Sequence, residues 1–304
     1  MLHTLTKDNV VYRFDRDLPE ALIVGNGDVV QIETEDCFGG TIRSENDEIN
    51  SDMDINQSNP VTGPIYVEGL STEDSLELEI LDIRLNPEVT TGLMPGVGLL
   101  SSNSSHGCTV KGNIIADEVH IRGFQIPINP MIGTIGTAPA GDPFPSLLMG
   151  PHGGNMDHPV ATRNSRIYLP VGVPGGLFSI GDLHAIMGDG EITALSAEGS
   201  GWVTLRVTIV KNVPITRPFF YTSQSWVTTG SANNLKAAIV IAAEEMAELI
   251  HKEYRIDRKL AMMLMGLRGD IRISQCADVP GMDVSVRYTM PILNRNNETK
   301  NDSN

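Results

Sequence analysis

Two histidines and four acidic residues crowd around glycines in one stretch of this chain. The run Gly150-Pro151-His152-Gly153-Gly154-Asn155-Met156-Asp157 is followed by Gly181-Asp182-Leu183-His184 and Gly188-Asp189-Gly190-Glu191. Imidazole nitrogen and carboxylate oxygen together suit a borderline divalent ion such as zinc, and flanking glycines let the backbone turn tightly enough to aim several short side chains at one point. Such an ion, with one coordination position open, supports metal-assisted hydrolysis. Gly-Asp pairs are also ordinary turn formers, and a histidine in a glycine loop often only hydrogen-bonds to backbone. For any single residue the turn reading is the stronger. His152 and His184, two of only seven histidines, with clustered acids beside them, favour a metal or catalytic site.

His152, Asp157 and His184 are the first-choice ligands. Asp36, in Glu35-Asp36-Cys37-Phe38-Gly39-Gly40, offers a further carboxylate, although local sequence alone slightly favours a solvated turn residue. Asp182, Asp189 and Glu191 fit as outer partners that orient the histidines. The segment Glu191 to Glu198 reads as a strand, with Glu198 on the same face as Ile192 and Ala194. If that face lines a pocket, desolvation raises the Glu198 pKa toward the range of a general base; if the strand end is open to water, it is an ordinary surface acid. Cys37 is the alternative nucleophile, with no histidine adjacent to activate it. Ser101 to Gly107 is serine-rich without a Gly-x-Ser-x-Gly context, and Gly25-Asn26-Gly27-Asp28 lacks the pattern of a phosphate cradle. No nucleotide cofactor is implied.

The elements that must carry these residues are mostly strands. From Tyr12 to Val213, short β-branched and apolar runs alternate with Gly, Pro, Asp and Asn. Leu76 to Ile80 and Trp202 to Val210 alternate strictly, as half-wet strands do. Residues 1–215 are expected to form a β-rich catalytic body with a small inserted β unit at about 86–150, organised by strands near Thr109 to Ile115 and Glu118 to Phe124. A weak echo joins Gly63 through Ile83 to Ser165 through Leu183: strand, turn, strand, then aspartate. Residues 216–293 should be α+β. One helix carries Leu235, Ala238, Ile239, Ala242, Met246, Leu249 and Ile250 after a Ser231 cap; another follows Asp257, with a stripe of Leu260, Met263, Leu264 and Leu267 before Gly269. The polar tail 294–304 is expected to fray.

With 304 residues the chain can bury a sizeable core unaided. Its three cysteines, Cys37, Cys108 and Cys276, are far apart and odd in number, so no disulfide framework is expected. A formal net charge of -16 disfavours nucleic acid as a partner. The opening Met1 to Lys7 has no secretion-signal pattern and no later run is long enough for a membrane span, so a cytoplasmic protein is expected. The apolar helical stripes make a homodimer or higher homo-oligomer the expected assembly.

Several blocks together resemble the acetamidase/formamidase family: Asp36-Cys37-Phe38-Gly39-Gly40, Asn59-Pro60-Val61-Thr62-Gly63-Pro64-Ile65-Tyr66-Val67-Glu68-Gly69, Pro130-Met131-Ile132-Gly133-Thr134-Ile135-Gly136, Gly150 through Asp157, and Gly181 through Ala185 with Gly188 through Glu191. The resemblance implies a mainly β fold with a jelly-roll-like β-sandwich body, and hydrolysis of a short amide such as formamide or acetamide to carboxylate and ammonia. On this reading a divalent ion, zinc first and calcium or another as alternatives, is held by His152, His184, Asp157 and Asp36. Glu198 shuttles the proton and Asn155 holds the amide. The competing classes are a metal-stabilised binding or structural protein with a closed site, and a cysteine amidase using Cys37.

Overall fold

A computed structural model describes residues 1–49, 57–100, 107–279 and 281–294. The serine-rich stretch at 101–106 and the expected frayed tail from 295 onward lie outside the described residues. The fold is mainly β. The two strictly alternating segments are parts of one antiparallel pair: Ser75–Leu93 runs against Glu198–Val210, with Leu76, Leu78 and Ile80 opposite Ile209, Val207 and Leu205. Those apolar residues are all buried, and the intervening positions face outward, which is the two-residue period that alternation requires.

Nearly all strands join one curled, mainly antiparallel sheet. The echoed segments pair crosswise in it. Val61–Val67 pairs with Phe178–His184, and Ser75–Leu93 pairs with Arg166–Pro170, so the first strand of each echo lies on the second strand of the other. Phe178–His184 is buried at every position, flanked by Val61–Val67 on one side and Met131–Gly136 on the other. Being covered on both faces, it buries polar Ser179, Asp182 and His184 as well as apolar Phe178, Ile180 and Leu183. Between these layers lies the main core, which includes Ile32, Ile65, Leu78, Ile132, Phe178 and Leu205. The inserted unit is a meander of Cys108–Ile115, Glu118–Ile121 and Phe124–Pro127 set against the far end of Ser75–Leu93.

The ladder continues into the C-terminal segment where Phe219–Tyr221 pairs with Arg166–Pro170. Ser225–Ala232, Asp270–Gln275 and Val284–Pro291 extend it and receive helix α1, Leu235–Tyr254, and helix α2, Arg258–Arg268. Gly230 lets α1 approach, because a Cβ there would stand 2.2 Å from the Ala238 carbonyl oxygen.

Three local expectations are corrected. Asn234, not Ser231, caps α1: its side chain accepts from the Ala237 amide, while Ser231 is still in the strand Ser225–Ala232. The buried side of α2 is Ala261 and Met265, with Leu264 beside them, whereas Leu260, Met263 and Leu267 are exposed. Small Ala261 permits close packing on α1, which turns the larger side chains outward. Glu191 to Ala197 forms turns rather than a strand, with Glu191 at φ 40 and Ala194 at φ 61, and Glu198 begins the strand Glu198–Val210 instead of ending one.

Phe178 is wholly buried in the strand that carries Asp182 and His184. Phe178→Ala should cost about 3–5 kcal/mol of stability, read as a lower denaturant midpoint with an unchanged slope.

Candidate active site

Sheet register brings the acids together. In the ladder His184 stands opposite Glu198 on one side and Met131 on the other, and Thr134 stands opposite Asn155. The loops after Asn155 and before Glu198 then fold over the strand ends. Nε2 of His184 hydrogen-bonds Asp182 Oδ1 at 3.1 Å, lies 3.1 Å from Glu198 Oε2, and is 4.0 Å from Asp157 Oδ1. Asp157, Asp182, His184 and Glu198 are buried and Glu191 is half-buried. All five line one cavity with Cys37, Asn59 and Asn155. Its described lining contains no lysine or arginine.

The local backbone is unusual at these acids. Asp157 has φ 50, Asp182 φ 57 and Glu191 φ 40, all in the left-handed region that a side chain with a Cβ rarely adopts. Such strained positions persist only where surrounding structure fixes them, and they gather at functional sites. Here the fixing groups are visible. Asn59 Nδ2 donates to Asp182 Oδ2 at 3.2 Å and to Thr134 Oγ1 at 3.0 Å, and Thr134 donates in turn to Asn155 Oδ1 at 2.8 Å. Ser196 holds the two glutamates, its amide donating to Glu198 Oε1 and its hydroxyl to Glu191 Oε1.

The C-terminal segment clamps both acid-bearing loops. Arg287 Nη2 donates to Asp189 Oδ1, and its Nη1 donates to Ser274 Oγ at 3.0 Å. That leaves the Ser274 hydroxyl to donate to Nδ1 of His158, next to Asp157. Ser285 reaches the same loop by donating to the Met156 carbonyl, and the Gly190 amide donates to the Ser274 carbonyl. One buried arginine therefore ties the Asp157 turn to the Glu191 turn.

Charge within the cavity is out of balance. Burial alone would lower the His184 pKa, but the Glu198 and Asp182 carboxylates beside it hold it well above the ordinary value. Asp182 is pulled below its usual value, because His184 and its hydrogen bonds outweigh burial. The other acids move the opposite way. Burial, with Glu191 and Asp182 nearby, lifts Asp157 well above a normal carboxyl; burial lifts Glu198, and withdrawal from solvent pushes Glu191 up to about 7 although His184 opposes it. Burial and the charges of Glu198 and Asp182 also push the Cys37 thiol well above its usual range. Asp157 Oδ1 and His184 Nδ1 are buried without a hydrogen-bond partner.

Two sets of donor atoms lie within 4.8 Å of one another: Asp157, His184 and Glu191 in one, Cys37, Asp182 and Glu198 in the other. Of the residues singled out in the sequence, Asp157, His184, Glu198 and Asn155 share the cavity. His152 and Asp36 are in neither donor set. His152 is wedged edge-on between Phe14 and Phe144, with ring centroids 4.9 and 4.7 Å away, and burial lowers its pKa to about 4. Asp36 turns its Oδ1 back to accept from the amides of Phe38 and Gly40, shaping the turn that delivers Cys37 and Phe38 to the cavity. Asp182 and Glu191, read from sequence as outer partners, stand among the donor atoms themselves. Asn59 was legible only as part of a glycine- and proline-rich block.

A model of the acetamidase/formamidase family matches residues 3–146 and 149–295. The chain belongs to that family. Among solved structures, the acetamidase of Bacillus halodurans is 36% identical, with a TM-score of 0.90 over 95% of this chain and 97% of that one. The predicted acetamidase/formamidase of Thermoanaerobacter tengcongensis is 33% identical, with a TM-score of 0.91 over 96% of each. The formamidase of Methylophilus methylotrophus is 29% identical over 66% of this chain and 64% of that protein. The chain spans less than two thirds of the length of the curated relatives it matches. The family match takes in every residue of the acidic cavity named above.

Gly133 makes room for the acids, since a Cβ there would meet Asp182 Oδ2 at 2.5 Å and Asp157 Oδ1 at 2.6 Å. Gly133→Ala should destabilise the fold by about 1–3 kcal/mol, while Gly188→Ala, with nothing within 4 Å of its added carbon, should be close to neutral. Chemical denaturation of the two variants side by side checks this.

Proposed function

We propose that this protein is a divalent-metal-dependent amidohydrolase that cleaves the C–N bond of short linear amides, such as formamide and acetamide, to carboxylate and ammonia. The observation that carries the reading is the charge imbalance: four carboxyl groups and one imidazole share a cavity whose described lining has no lysine or arginine, and Asp157 Oδ1 and His184 Nδ1 are buried without a hydrogen-bond partner. Buried charge of one sign must be compensated by a counter-charge or by protons. A divalent cation suits that imbalance, and Asp157, His184 and Glu191 are the residues that would hold it, with Asp182 and Glu198 alongside. One imidazole among carboxylate oxygens suits zinc, and the oxygen-rich remainder admits calcium or manganese. When bound, the cation would polarise the amide carbonyl and acidify water.

The chain's own groups supply the rest. Glu198, its pKa raised by burial, takes a proton from the attacking water and returns it to the leaving nitrogen, so that ammonia departs. Asn155 is fixed through its Oδ1 by Thr134, which leaves its NH2 to orient the amide. Asp182 remains ionised and holds the His184 ring by its Nε2. A thiolate route through Cys37 is less well served, because burial and its acidic neighbours keep the thiol protonated. A purely structural metal would not need the cavity of about 200 Å³ beside the acids.

Chelation should abolish ammonia release from formamide, acetamide and propionamide, and added metal should restore it. Iodoacetamide should have little effect. Activity that survives chelation and is lost to iodoacetamide would transfer the reaction to Cys37. His184→Ala should lose metal and turnover together, measured by elemental analysis beside the ammonia assay; stoichiometric metal in that variant would remove His184 from the ligand set.

A further inference from the structure

The acidic cavity has a second, apolar wall. Phe38, Met94, Val97 and Leu195 belong with Ile49 to a hydrophobic cluster separate from the β core, and these four, with Leu147 and Val279, line the same cavity as Asp157, His184 and Glu198. The residues of that cluster come from loops distant in sequence, so their convergence adds nothing to any one strand pair. Each of the four retains 8–9% of its surface, where the residues of the main core at the strand centres retain almost none. The cavity measures about 200 Å³. An apolar cavity of roughly 150 Å³ takes a molecule the size of benzene. Formamide carries only hydrogen on its carbonyl carbon and acetamide only a methyl group, so either would leave most of this wall facing water.

We propose that the preferred substrates are aliphatic amides with an acyl chain of about four to six carbons, the carboxamide lying among the acids and the alkyl chain along Phe38, Met94, Val97 and Leu195. This rests on the amide-hydrolysis reading and adds the acyl class to it. The reaction is unchanged: the C–N bond breaks, water supplies the oxygen of the carboxylate, and nitrogen leaves as ammonia. Length selects because every methylene withdrawn from water onto the wall strengthens binding, by about fourfold if fully buried.

Two readouts on the zinc-loaded full chain separate this proposal from the reading beneath it. Ammonia release and calorimetric affinity are measured for formamide, acetamide, propionamide, butyramide and hexanamide. The expected result is kcat/KM rising about fourfold per methylene as far as butyramide and holding through hexanamide, with Kd tightening in parallel. Val97→Phe and Leu195→Trp, which fill the apolar end, should each lower the hexanamide-to-acetamide ratio of kcat/KM by about tenfold or more; a ratio taken within one variant is insensitive to the fraction folded. A kcat/KM that falls steadily from formamide, or a Kd indifferent to chain length, overturns the proposal and leaves amide hydrolysis standing. Tightening affinity along the series with no ammonia from any amide supports the apolar wall and overturns hydrolysis instead.

Discussion

The structure is organised around holding several carboxyl groups close together out of water. Asp157, Asp182, Glu191 and Glu198 repel one another when ionised, and burial penalises each charge further. His184 brings at most one positive charge, shared between Asp182 and Glu198, both 3.1 Å from its Nε2. The rest of the imbalance is visible as raised carboxyl pKa values and the unpartnered Asp157 Oδ1. A chain has no reason of stability to assemble such a group; well-packed apolar residues of similar volume would serve the core at least as well.

What keeps the acids in place is supplied from every part of the fold. The strand Phe178–His184 is fixed on both edges, so Asp182 and His184 ride on a rigid support. Gly133, on the neighbouring strand, is bare where the two aspartates approach. The loops are less constrained by the ladder, and there the C-terminal segment intervenes through Arg287, Ser274 and Ser285. The α+β segment thus has a role beyond its own packing: it adds the contacts of Arg287, Ser274 and Ser285 to the turns carrying Asp157 and Glu191. The left-handed backbone at Asp157, Asp182 and Glu191 is sustained by this surrounding network.

Strand periodicity was the most legible feature of the sequence. Leu76 to Ile80 and Trp202 to Val210 could be identified by alternation because one face of each is wet, and Asp257 and Gly269 marked the ends of α2 because capping is a local property. The site was only partly legible. Asp157, His184 and Glu198, singled out from the sequence, share the cavity, but Glu198 was placed there by a wrong route, since Glu191 and Ala194 take left-handed turns that no two-residue period describes. His152 resembled His184 by composition; what separates them is Phe14 and Phe144, which close on His152 from remote parts of the chain. Asp182 and Glu191 sat in the same motifs as turn residues, and only the three-dimensional register turns them inward. Spacing along the chain thus located the acid-bearing loops without ranking the residues inside them.

The division of labour between sheet and loops follows from what each can hold. Hydrogen-bonded strands fix side chains to within small displacements, which suits groups that must stay at mutual distances near 3 Å, such as His184, Asp182 and Glu198. Loops hold side chains less tightly and vary more readily, which suits contacts whose value lies in shape rather than in angle. The cavity is built that way: its innermost histidine and Asp182 come from a strand paired on both edges, and Phe38, Met94, Val97 and Leu195 come from loops packed on one another. A change in the apolar loops can therefore reshape the space beside the acids while the strand-borne donors keep their positions. The reverse does not hold, because a displaced Asp182 or His184 alters the charge balance for every carboxyl in the cavity.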